Sequence, residues 1–437
     1  MGTLVIGGGL IGLSTAYALQ TRGESVTLID ARDAVAQETS FANGGLLTPS
    51  MPEPWNGPGV YRHLAASVFN PRASMRLRLH AIPSLIGWGL RFLKHSAPRH
   101  FFAACTDNYH LARYSLEQTA TLTGTLGLEY DRGTDGTLSV FRAREDYATK
   151  RAICEHVRDL GMQYRVLTPG EIVELVPALA SVQRQLYKGI HYPEDDFGDA
   201  RRFCEALLPH FQAAGGQAEF GVRVHRLRRD GRRIAGVETS AGERIADKVV
   251  IAAGVQSPRL AADAGVDLPV KPAKGYSVTV EIPPSETLPA LPVIDDSMHA
   301  CLTPLGRRLR MVGTVEFTGF DTRIDRARTE NLYRLFETLL PDIAARTDRA
   351  TASPWAGLRP MSYDDRPFIG GTGVEGLYVN CGHGPLGWTM AAGSGQLLAD
   401  QMIGQQCAID ATPFSLARAV SAVRKSIPAR QRRSAGA

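Results

Sequence analysis

The chain lacks the residue patterns that build metal centres and disulfide frameworks. Its 437 residues hold six cysteines (Cys105, Cys154, Cys204, Cys301, Cys381, Cys407). No two of them stand as Cys-x-x-Cys, so zinc, iron–sulfur and redox-disulfide sites are not expected, and the thiols read as free or buried in a reducing compartment. There is no uninterrupted apolar run of about 18 residues, so no membrane-spanning helix is expected. Charge bias is slight. A net charge of +5 includes Arg424, Lys425, Arg430, Arg432 and Arg433 in a tail expected to be frayed and solvated. Basic residues are not interleaved with aromatics, which argues against a nucleic-acid partner. Internal repeats and low-complexity tracts are missing too.

What is present is a soluble globular composition, 44% apolar and 21% charged. The length exceeds one ordinary core, so two domains, or one with a large insertion, are expected. The most informative segment is Thr3-Leu4-Val5-Ile6-Gly7-Gly8-Gly9-Leu10-Ile11-Gly12, followed by Ser25-Val26-Thr27-Leu28-Ile29-Asp30. It reads as strand, glycine turn, helix and second strand ending in a carboxylate. Gly7 allows a tight turn, Gly9 lets a pyrophosphate approach the backbone, and Gly12 lets the helix pack on the sheet. The helix N-terminus, at Leu10 and Ile11, offers N–H groups to phosphates, and Asp30 is placed for a ribose hydroxyl. The motif begins at Thr3, which leaves no room for a secretory leader and makes a cytoplasmic protein the expectation.

Further on, Glu38 to Leu46 reads as a polar helix start running into a glycine loop. Pro49, Pro52, Pro54 and Pro58 mark irregular chain. Residues 72–120 are helical by pattern. Within them Leu85 to Lys94, with Trp88 and Phe92 and flanking arginines, is compatible with a helix on a membrane surface or one covering a sheet. Strands are expected at 128–130, 136–141, 189–193, 220–224, 236–239, 248–254, 276–280, 309–314 and 377–380, and helices at 145–160, 199–213, 328–340 and 388–403. The 248–254 strand is nearly all apolar, as a buried parallel strand is. It ends in Ala252-Ala253-Gly254, small residues that permit close approach.

Three later segments join the first in a family resemblance: Val249 to Ser257, Trp355-Ala356-Gly357-Leu358-Arg359-Pro360, and Gly382-His383-Gly384-Pro385-Leu386-Gly387-Trp388-Thr389. With Thr39-Ser40-Phe41-Ala42-Asn43, the chain resembles the D-amino acid oxidase (DAO) superfamily of FAD-dependent oxidoreductases over nearly its whole length, and most of all its bacterial D-amino acid dehydrogenase branch. The resemblance implies an α/β fold: a Rossmann-like FAD-binding domain from residues 1–50, 145–260 and 346–437, and an inserted α+β substrate domain on a mainly antiparallel sheet from residues 51–144 and 261–345.

It also implies roles. FAD would lie on Gly7, Gly9, Leu10, Ile11, Gly12, Asp30 and Arg32. Ser40, Asn43, Gly45 and Leu46 would form a second phosphate and flavin segment. Val224 would offer its backbone to adenine, and Ala253 and Gly254 would line the same groove. Gly382, His383, Gly384, Leu386, Gly387, Trp388 and Thr389 would form a turn whose helix dipole favours charge developing on the flavin. In that turn His383 is expected to pack rather than to act as a base.

Arg359 would grip the substrate carboxylate through two parallel hydrogen bonds; a structural pair with Asp364 or Asp365 is the alternative. Tyr276 would close the pocket or donate to the carboxylate, and Met51, His63 and His299 are pocket candidates. The reaction implied is hydride transfer from the Cα–H of a D-amino acid to flavin, giving a 2-oxo acid and ammonia, or a cyclic imine from D-proline. Electrons would pass to a quinone or other acceptor. The alternative is an oxygen-using oxidase of glycine, sarcosine or D-amino acids. A nicotinamide-binding or non-catalytic module has no need of a carboxylate clamp. Relatives with covalent flavin use a cysteine near 355–357 or a histidine within 38–47. Neither is present, so FAD is expected to be non-covalent. No metal is expected. A peripheral contact with the inner face of the cytoplasmic membrane stays open.

Overall fold

A computed structural model describes residues 2–61 and 75–419; the candidate His63 and the basic tail lie outside them. Among the described residues, strands Thr3–Ile6, Val26–Ile29, Gln217–Glu219, Lys248–Ile251 and Leu377–Cys381 pair in parallel, and Phe368–Gly371 adds an antiparallel edge. Alternate residues of one strand serve opposite layers. Val5 packs with Leu13, Leu28 and Leu398, whereas Leu4 and Ile6 pack with Val249, Ile251 and Val379. Burial on both faces explains why these strands read as continuous apolar runs. Helix Leu10–Gln20 leaves the first strand and packs on Ala391–Ile403.

The second layer is a mainly antiparallel sheet, in the order 353–362, 270–281, 308–317, 300–305, 293–295, 137–141, 188–192 and 165–167, with Met75–Leu77 alongside Arg308–Phe317. Its core gathers Val278, Leu302, Met311 and the buried face of helix Arg326–Leu339. Arg165–Leu167, Lys188–Tyr192 and Ser353–Ser362 belong to this sheet by hydrogen bonding. The sequence reading had grouped these stretches with the nucleotide layer. Short strands pair wherever a partner edge lies, which local pattern does not disclose.

Other expectations shift as well. Residues 38–45 form turns rather than a helix start, and Leu46–Leu47 pairs with Asp196–Phe197. Leu128 to Tyr130 is not a strand. Helix Pro98–Leu126 runs up to it and ends at Gly127, whose φ of 64° caps the helix in the left-handed region. The strand expected over 220–224 divides into Gln217–Glu219 and Val224–Asp230, because Gly221 (φ 71°) turns the chain and hands its N–H to Arg32. The last helix begins at Ala391, after a short turn at Gly384–Leu386. Helix Ile82–Lys94 covers a sheet: Trp88 packs on Phe92 and Phe317 at 5.0 and 5.8 Å between ring centroids. Its opposite face leaves Ile86 60% and Leu90 66% exposed.

Candidate active site

The glycine turn is built to touch something at its backbone. Gly7 has φ 117°, and a Cβ there would strike the Ala252 carbonyl and crowd Ala253; a Cβ on Gly12 would strike the Gly7 carbonyl. Asp30 closes the cradle: its Oδ2 accepts from Gly8 N–H at 2.5 Å and its Oδ1 from Arg32 N–H at 2.7 Å. Burial pushes its carboxyl up from the ordinary value, against the pull of those two donors. The Arg32 guanidinium is turned to Glu38, with Nε donating at 2.6 Å. The chain meets Asp30 at Val222, whose N–H donates to the Asp30 carbonyl at 2.9 Å. Val224 stands two residues further on, its carbonyl accepting from Arg259 at 3.2 Å.

The second segment is tied to the first helix. Ser40 Oγ accepts from Leu10 N–H at 3.1 Å, at the positive end of that helix. Asn43 Oδ1 accepts from Gly45 N–H at 3.0 Å, while its carbonyl accepts from Arg310 at 3.2 Å. Arg310 is nearly buried and is held in turn by Asp199 at 3.1 Å. Thr389 Oγ1 accepts from Thr48 N–H at 3.0 Å, joining this segment to the late turn. That turn is joined to the 353–362 strand by a bridge between His383 and Met361, and to Gly254 by the Cys381 thiol at 3.5 Å. Trp388 Nε1 donates to Gly198 at 3.2 Å, and its ring packs on Phe203.

Between the layers lies a cavity of about 480 Å³. Asn43, Gly45 and Leu46 line it from one side, Leu386, Trp388 and Thr389 from another, and Tyr276 and Arg359 from the sheet, with Met51 and His299 also on its wall. Arg359 is the exceptional group. It makes no ion pair among the described residues, and its Nη1 is buried without a hydrogen-bond partner. Burial pushes its guanidinium down to about 10. Its Cζ lies over the Trp55 ring, 5.5 Å from the centroid. The alternative pairing fails: Asp364 is held by Arg366 and Arg418, and Asp365 accepts from Trp55 N–H. A buried guanidinium without a partner costs several kcal/mol unless a ligand meets it.

Tyr276 differs. Its O–H donates to the buried Glu316 at 2.8 Å, which commits the phenol to a carboxylate of the protein and raises its pKa far above the ordinary value. With the O–H already donated to Glu316, the expected donation to a substrate carboxylate is not what this geometry favours. His383 is 2% exposed, neither ring nitrogen has a partner, and burial pushes it down to about 3. Burial disfavours the imidazolium, so this ring is a weak proton acceptor and is not poised as a general base.

Residues 3–401 match the family described as FAD dependent oxidoreductase (DAO). The chain belongs to this family of FAD-dependent oxidoreductases. It is 35% identical over 418 residues to a D-amino acid dehydrogenase of Bradyrhizobium diazoefficiens, covering 96% of this chain and 99% of that protein. It is also 35% identical over 429 residues to one of Cereibacter sphaeroides, covering 98% of each. In fold this oxidoreductase is similar to glycine oxidase from Geobacillus kaustophilus (TM-score 0.74, 24% identity, 95% and 98% covered). It is likewise similar to L-proline dehydrogenase from P. horikoshii (TM-score 0.75, 19% identity, 96% and 98% covered).

The residues present suit the family's cofactor. In this FAD-dependent oxidoreductase, Gly7 and Gly12 let the turn pack tightly on the Ala252 carbonyl and on itself, the Leu10 N–H at the helix start is met by the Ser40 hydroxyl, and His383 and Arg359 hold buried nitrogens without a hydrogen-bond partner. Sequence reasoning missed further lining residues, Glu53, Trp55, Lys150 and Asp296, and gave Trp355 no role in the site. The proline-rich stretch at 49–58 was a signal, since closely spaced prolines fix a chain that must hold one shape. Lys150 sits in an amphipathic helix, where a lysine ordinarily reads as solvated.

Proposed function

We propose that this oxidoreductase acts on D-amino acids at the carbon bearing the amine, with FAD held non-covalently and electrons delivered to a quinone or other carrier. The observation that carries the proposal is the Arg359 guanidinium, unpaired and partly buried in a cavity beside a dinucleotide cradle. The names of the relatives at 35% identity supply the D configuration. Bound FAD supplies a two-electron acceptor for the hydride leaving the amine-bearing carbon.

The chain's own residues supply placement. Gly7, Gly9, Gly12 and Asp30 would hold the dinucleotide, with Ser40 and the Gly382–Thr389 turn beyond it. Arg359 receives the carboxylate through parallel N–H donors, fixing position and orientation together. Trp55 and Trp355 wall the site and exclude water, which strengthens that ion pair. No acid or base is required if the amine enters deprotonated, and the weak basicity that burial gives His383 agrees with that. The imino acid released hydrolyses to a 2-oxo acid and ammonia. Non-covalent attachment is supported by the lack of cysteine at 355–357 and of histidine at 38–47.

Contact with a membrane surface is supported by Ile86, Leu90 and Leu93, exposed along helix Ile82–Lys94 beside Arg91 and Lys94. Among the described residues no helix is long and apolar enough to cross a membrane. Anaerobic titration tests the reading. D-alanine or D-proline should bleach the flavin band and the L-isomers should not; bleaching by L-isomers alone would refute it. Peroxide release in air would identify an oxidase instead of a dehydrogenase.

A further inference from the structure

The cavity wall also carries charged groups that carboxylate docking does not use. Glu53 comes from the proline-rich segment, Lys150 from helix Arg144–Arg158, and Asp296 from the turn after Val293–Asp295, and all three line the same cavity. The Lys150 side chain is 7% exposed and its ammonium contacts Glu53 Oε1. Glu53 Oε2 is buried and has no partner. The Asp296 carboxylate accepts no hydrogen bond from a described side chain. Lys150 therefore neutralises one carboxylate of two. Two carboxylates thus share one ammonium on this cavity, while Arg359 lines it without an ion-pair partner among the described residues.

We propose that Glu53 and Asp296 form a side-chain subsite for cationic D-amino acids of the lysine and arginine type, a proposal that rests on the D-amino acid reading above. The cavity wall carries both signs of charge that such a substrate needs, Arg359 for its carboxylate and Glu53 and Asp296 for its side-chain cation. Trp55 touches the Arg359 guanidinium, and Glu53 stands two residues before it on chain held extended by Pro52 and Pro54, at most about 7 Å away along the backbone. A lysine- or arginine-type side chain carries a cation out beyond the reacting carbon, and alanine carries none. An ammonium or guanidinium there supplies the donor that the buried Glu53 Oε2 lacks, and a charged donor makes the stronger hydrogen bond. An acidic side chain would meet two carboxylates, since Lys150 is already taken.

The test is anaerobic titration of the yellow holoenzyme with D-lysine, its uncharged counterpart D-norleucine, D-alanine and D-glutamate. Half-bleaching should need at least about tenfold less D-lysine than D-norleucine, the effect of one charge-assisted hydrogen bond. Glu53→Gln should erase that preference and improve D-glutamate by at least about tenfold, because it frees Lys150; loss of fold alone would not reverse a charge preference. Asp296→Asn, at a carboxylate with no side-chain partner to lose, should shrink the D-lysine advantage with flavin content unchanged. Equal use of D-norleucine and D-lysine by the unaltered enzyme, or unchanged ratios in both variants, would overturn the subsite while D-alanine bleaching kept the wider reading intact. Bleaching by no D-amino acid would overturn both.

Discussion

Arg359 lies directly over Gly275 of the neighbouring strand: a Cβ at position 275 would overlap the guanidinium. Gly275 faces Gly357 in register, and the ring of Trp355 folds over Gly357 in the same manner. Two facing glycines thus make a trough in a sheet where β-branched residues would ordinarily pack. Gly275→Ala should push the guanidinium out of the trough and raise KM for the amino acid by about tenfold or more, with flavin content unchanged. Steady-state kinetics together with the visible spectrum check it.

The Tyr276–Glu316 bond separates a structural from a catalytic phenol. Glu316 is 0% exposed and also faces Arg78 at 3.1 Å and Arg328 at 3.5 Å. Tyr276→Phe should lower stability by about 1–3 kcal/mol, the cost of removing a buried donor, and leave kcat within about threefold. A large loss of kcat at unchanged melting temperature would give the O–H a catalytic role.

The strand–turn–helix cradle was legible because Gly7, Gly12 and Asp30 answer constraints local to one unit, where spacing alone carries the chemistry. Arg359 was legible only through its family segment; nothing in Gly-Leu-Arg-Pro by itself says that Asp364 would be claimed by Arg366 and Arg418. Glu53, Lys150 and Asp296 were not legible at all. They come from an irregular segment, a helix and a turn far apart in the chain, and only the sheet brings them together. The division of the 217–230 stretch turned on Gly221, whose positive φ a strand pattern does not reveal.

Asp195 is buried, accepts from Ser50 at 2.5 Å and from Thr137 at 2.7 Å, and is nonetheless pushed up to about 7 by burial. Its folded value lies above the unfolded one near 3.8. The folded state therefore holds this proton where the unfolded state has lost it, and the contribution to stability falls as pH rises from about 4 to about 7, then levels. Asp195→Asn should remove that slope, of up to about 1.4 kcal/mol per pH unit. Denaturant melts at pH 5 and pH 8 check it.

The cradle glycines control the cofactor rather than the substrate. Gly12→Val would strike the Gly7 carbonyl, so the purified variant should be colourless or contain well under half the flavin of the parent, which absorbance against protein concentration measures.

For the exposed helix face, Leu90→Glu should abolish flotation with anionic vesicles, while bleaching by substrate in solution stays unchanged. Equal flotation of parent and variant would remove the face from the account.

The most direct measurement is anaerobic bleaching of the flavin by D- and L-alanine in the unaltered enzyme and in Arg359→Ala. The account expects bleaching by the D-isomer alone, and a variant that stays yellow but needs about a hundredfold more D-alanine for half-bleaching. A variant that bleaches at the parent's concentrations would contradict it.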